Sequence, residues 1–99
     1  MSDPILVVVF LRGGADSLSL IAPAGDADYV AARSESLRVL RKGDAAGRVL
    51  RSPIADADFR FHPQACALAD LYEAGDLSVI HATGLVEATR SHFDAEARI

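Results

Sequence analysis

Ile5-Leu6-Val7-Val8-Val9-Phe10-Leu11 is an unbroken apolar run, bounded by Pro4 before it and by Gly13-Gly14 after it. Strict alternation would mark a strand with one wet face. A continuous β-branched and aromatic run predicts instead a strand buried on both faces of a parallel sheet. Leu77-Ser78-Val79-Ile80-His81-Ala82-Thr83, ending at Gly84, has the same character and predicts a second buried strand. Between them Pro63 opens Gln64 to Ala74, where Ala67, Leu68, Leu71 and Tyr72 recur at helical spacing, with proline in the first turn and Gly75 at the C-cap. Strand, helix, strand in this order predicts a right-handed parallel crossover.

The remaining segments are less regular. Leu18 to Pro23 suits a short extended or helical piece. Asp26 to Val39 predicts a helix, with Asp26 and Asp28 as N-cap candidates and Tyr29, Val30 and Leu37 as its apolar positions. Arg38 to Arg51 mixes Lys42, Gly43, Gly47 and four arginines with few apolar residues, and Pro53 and further Asp residues follow, so it reads as an exposed loop or hairpin. In Thr89 to Ile99, Ser91 is a good N-cap, and Asp94 three residues on makes an imperfect capping box. A strand running into a glycine loop and a last helix without a C-cap suggest a chain cut inside its domain. Residues 1–99 are therefore expected to be the N-terminal part of one larger α/β domain with a doubly wound, mostly parallel sheet.

Composition narrows the class. With 99 residues, 51% of them hydrophobic, the chain is of globular type and too short for two domains. Its 14 acidic and 10 basic residues give a formal net charge of −4, without the basic excess that neutralises a phosphate backbone, so nucleic-acid binding is disfavoured. The single cysteine, Cys66, has no internal disulfide partner and is expected to pack as a small apolar residue. The apolar run Ile5 to Leu11 is far shorter than the ~20 residues of a membrane-spanning helix. Met1-Ser2-Asp3-Pro4 is acidic and no small-residue cleavage site follows, so no signal peptide is read and the chain as written is expected to be cytoplasmic.

The chemistry-bearing candidates follow the two apolar runs. Asp16 lies just past the C-terminal edge of the first, in Arg12-Gly13-Gly14-Ala15-Asp16-Ser17, where a carboxylate is suited to a divalent cation and equally to a turn or N-cap. Ser91 follows the second run at a helix N-terminus, as a nucleophile or as a plain cap, with Thr89 as its rival. His92 is either a metal ligand or general base, or polar surface. Arg12 and Arg90 flank these residues, and guanidinium forks suit phosphate or sulfate. His81, inside an apolar strand, reads as a hydrogen-bonded core histidine, and His62 as part of the start of the helix opened by Pro63. Parallel strands would bring Arg12, Asp16, Arg90, Ser91 and His92 to one sheet edge, where open α/β sheets bind ligands.

Three stretches, Leu6-Val7-Val8-Val9-Phe10-Leu11-Arg12-Gly13-Gly14-Ala15-Asp16, then Phe61-His62-Pro63 with Leu71-Tyr72-Glu73-Ala74-Gly75, and Thr89-Arg90-Ser91-His92-Phe93, resemble in order and interval the bacterial domain of unknown function 1501 family. That family is placed with the alkaline-phosphatase and sulfatase-like folds. The resemblance implies a divalent metal (zinc, manganese, calcium or magnesium) with Asp16 as ligand, and a nucleophile at Ser91 or Thr89. It also implies a small-molecule or glycan ester as substrate. Ser17 stands where the family more often has Gly, and Cys66 is followed by Ala67 and Leu68, so the sulfatase Cys-x-Pro-x-Arg signature is absent. Relatives are often exported with a twin-arginine signal, which this chain lacks. Three functions follow as expectations: part of a metal-dependent hydrolase of phosphate or sulfate esters, a non-catalytic structural or binding member of the same fold, or a complete small regulatory domain that dimerises through its sheet edges.

Overall fold

A computed structural model describes residues 2–51, 57–86 and 88–98. Pro53 and Asp56, which follow the Arg38 to Arg51 segment, lie outside the described residues, as does the side chain of His92. The chain divides into two compact units, Asp16–His81 and Met1–Ala15 with Ala82–Ile99.

Among the described residues, the paired strands lie in the Asp16–His81 unit. Asp16 caps a short helix, α1 (Ser17–Leu20), by accepting the Leu18 N–H, and the chain then extends into β1 (Ile21–Pro23). Leu18 to Pro23 is therefore helical and extended in turn. Asp26 caps α2 (Ala27–Ala32), its Oδ1 accepting the Tyr29 N–H at 2.9 Å. The helix expected over Asp26 to Val39 stops early: Arg33 and Ser34 are extended, and one 3-10 turn, Glu35–Leu37, follows. Two strands then complete the sheet, β2 (Arg48–Val49) and β3 (Phe59–Phe61). The order is β1-β3-β2, antiparallel throughout, with Ile21 opposite Phe61 and Arg48 opposite the other edge of Phe61.

His62 and Pro63 start the next helix as expected. The His62 Nδ1 accepts the Gln64 N–H at 3.0 Å, a 3-10 turn spans Pro63–Ala65, and α3 runs over Cys66–Glu73. Gly75 stops it at φ +83°, a backbone conformation that L side chains rarely adopt. The face that α3 turns inward is Ala65, Leu68, Ala69 and Tyr72, which recur at three- and four-residue steps. Cys66 lies off that face and is exposed, a correction to its expected packing.

Among the described residues, two small clusters form the core: Ala22, Tyr29 and Val39, and Leu50, Phe61 and Ala69 with Ile21, Phe59, Leu68, Tyr72, Leu77 and Val79 packed around the second. Phe61 is the anchor, 1% exposed, with the Tyr72 ring at 5.9 Å. The Arg38 to Arg51 segment is thus more than an exposed loop, because Val39 and Leu50 are both buried and Arg48 and Val49 pair with β3. Gly47 makes that possible: a Cβ there would meet Val39 Cγ1 at 2.3 Å and the Phe61 carbonyl oxygen at 2.8 Å. Arg48 fastens the segment to α3 through Asp70 and, at 2.7 Å, Glu73.

The two long apolar runs stand apart from this ladder. Neither Ile5 to Leu11 nor Leu77 to Thr83 pairs with another strand among the described residues. Leu77 and Val79 turn onto the Phe61 cluster while Ile80 is 80% exposed. From Ile5 to Leu11 every side chain is exposed, from 57% at Phe10 to 89% at Ile5. The sheet among the described residues is antiparallel and contains neither run.

In the other unit the last helix, α4 (His92–Glu96), begins where Ser91 places it, the Ser91 Oγ accepting the Asp94 N–H at 3.2 Å.

Candidate functional site

Asp16 sits at the start of the Asp16–His81 unit with both carboxylate oxygens engaged. Oδ1 accepts the Leu18 N–H at 3.0 Å, while Oδ2 accepts the Ser19 hydroxyl at 2.8 Å and lies 2.8 Å from Arg33 Nη2. Arg33 also donates to Ser19 Oγ at 3.2 Å, and its guanidinium lies over the Tyr29 ring at 5.6 Å. The Ser19 hydroxyl and, with it, Arg33 and the Leu18 N–H hold the Asp16 carboxyl below the usual carboxylate range, against a smaller opposing effect of burial. The group is therefore an ionised, oriented and half-exposed carboxylate.

A shallow cleft of about 340 Å³ opens beside it, lined by Asp16, Ser19, Leu20, His62, Gln64 and Ala65. Its two walls are joined by the His62 N–H, which donates to the Leu20 carbonyl at 2.7 Å and extends the β1–β3 pairing by one bond. Because His62 Nδ1 is an acceptor for Gln64, the neutral ring carries its proton on Nε2. Ser19, Arg33 and His62 were missed as neighbours of Asp16 by sequence reasoning. The only trace of the first is the Asp-x-x-Ser spacing around the α1 cap.

In the other unit, Arg12 Nε and the Gly13 N–H both bind Glu96, at 2.6 Å to Oε2 and 3.0 Å to Oε1. Glu96, whose side chain is 13% exposed, was not a candidate from sequence, since 84 residues separate it from Arg12. Thr89 Oγ1 accepts the Ser91 N–H at 3.1 Å, so Thr89 and Ser91 form consecutive links of one capping arrangement. Arg90 is exposed. In the Asp16–His81 unit, His81, expected to be hydrogen-bonded in a core, is half-buried and stacks on Phe59 with ring centroids 4.1 Å apart.

The divalent metal implied by the resemblance finds one suitable donor in Asp16, a hard, ionised and accessible oxygen ligand. Arg33 already bonds to the same oxygen. Among the described residues no group of three or more His, Cys, Asp or Glu is placed to hold an ion. No helix among the described residues is long and apolar enough to cross a membrane. No family model, curated protein or solved structure matches this chain.

Proposed function

We propose that this chain is the N-terminal part of an alkaline-phosphatase-like α/β domain, a metal-dependent hydrolase of phosphate or sulfate esters. The observation that carries the reading is Asp16: a carboxylate kept ionised and held in one orientation by Leu18, Ser19 and Arg33, on a glycine-rich turn just after the apolar run. Arg33 pairs with its Oδ2, and a divalent ion binding that oxygen would have to displace the guanidinium. In this reading Asp16 is one metal ligand and His92 another, Ser91 or Thr89 is the nucleophile, and Arg12 and Arg90 bind the anionic group. A bound metal would act as a Lewis acid on the ester oxygen. The test is metal content by mass spectrometry of the intact protein and of Asp16→Asn, with turnover of an aryl phosphate and an aryl sulfate by Ser91→Ala. Stoichiometric metal that Asp16→Asn loses, and turnover that Ser91→Ala loses, support the reading. A folded, metal-free wild-type protein would rule it out.

The second reading, a non-catalytic structural or binding member of the same fold, is favoured by one observation. Asp16, Thr89, Ser91 and Arg12 are each already engaged in a cap or an ion pair. It expects Asp16→Asn and Ser91→Ala to lower stability without any change in metal content.

A further inference from the structure

We draw no further inference here: the strongest candidate, the exposed apolar run from Ile5 to Leu11, is an unpartnered surface among the described residues, and nothing in the structure shows what covers it.

Discussion

The hydroxyl of Tyr29 accepts the backbone N–H of Val39 at 2.9 Å, with both residues buried. This bond fastens the end of the irregular 33–39 stretch onto α2 and fixes where the basic segment begins. Tyr29→Phe keeps the ring in the Ala22–Tyr29–Val39 cluster and strands the Val39 N–H. The expected loss is about 1–3 kcal/mol. Thermal unfolding should register it as a lower midpoint, by about 4–8 °C per kcal/mol in a domain of this size.

Gly47→Ala tests the close approach at the other end of that segment. Its Cβ would meet Val39 Cγ1 and the Phe61 carbonyl, and the backbone oxygen has little room to yield. Overpacking of this kind costs about 1–3 kcal/mol. Urea unfolding should show a lower midpoint with an unchanged slope.

Acid should destabilise the Asp16–His81 unit. Burial raises the Asp58 carboxyl, but hydrogen bonds from Arg60 and Arg41 outweigh it and leave the group below its ordinary value, as Asp16 also is. A carboxyl lowered on folding contributes stability above its unfolded pKa, and that contribution is lost as pH falls through the folded value. The unfolding midpoint is therefore expected to be flat from neutral pH to about 5 and to fall below about pH 4. Asp58→Asn should reduce the steepness of the fall, and asparagine tolerates the φ of +44° found there. An unchanged acid profile in Asp58→Asn would remove this ion-pair pair from the explanation.

The Asp16–Arg33 contact gives the sharpest discrimination between the two functional readings. If Asp16 is a metal ligand, Arg33 competes for its Oδ2. Arg33→Gln should then tighten binding of manganese or zinc to the intact protein by about tenfold or less, as calorimetry would measure. If Asp16 is only a cap and ion-pair partner, neither protein binds metal, and Arg33→Gln changes only stability.

Local chemistry was legible in the sequence. Asp26, Ser91, Pro63 and Gly75 mark helix boundaries because a cap depends on residues within three or four positions of one another. Long-range geometry was not. β3 is three residues long, Phe59-Arg60-Phe61, and a run so short carries almost no periodicity. The Arg12–Glu96 pair joins residues near opposite ends of the chain, which no spacing rule reaches. At α3 the pattern gave the helix but a slightly rotated face: Ala65, Leu68, Ala69 and Tyr72 point inward, and Ala67 and Leu71 point out. Asp16 was read as a carboxylate suited to a cap or a metal. The cap is observed, and its ion pair with Arg33, seventeen residues on, could not be read from pattern.

The bare run from Ile5 to Leu11 also governs how the protein behaves outside its fold. Seven uncharged residues, five of them of high β propensity, without a proline form the kind of segment that stacks into cross-β fibrils when nothing covers it. Solubility during synthesis and purification, more than melting temperature, is thus the property most exposed to change there. A single charge introduced into the run acts as a gatekeeper against such stacking.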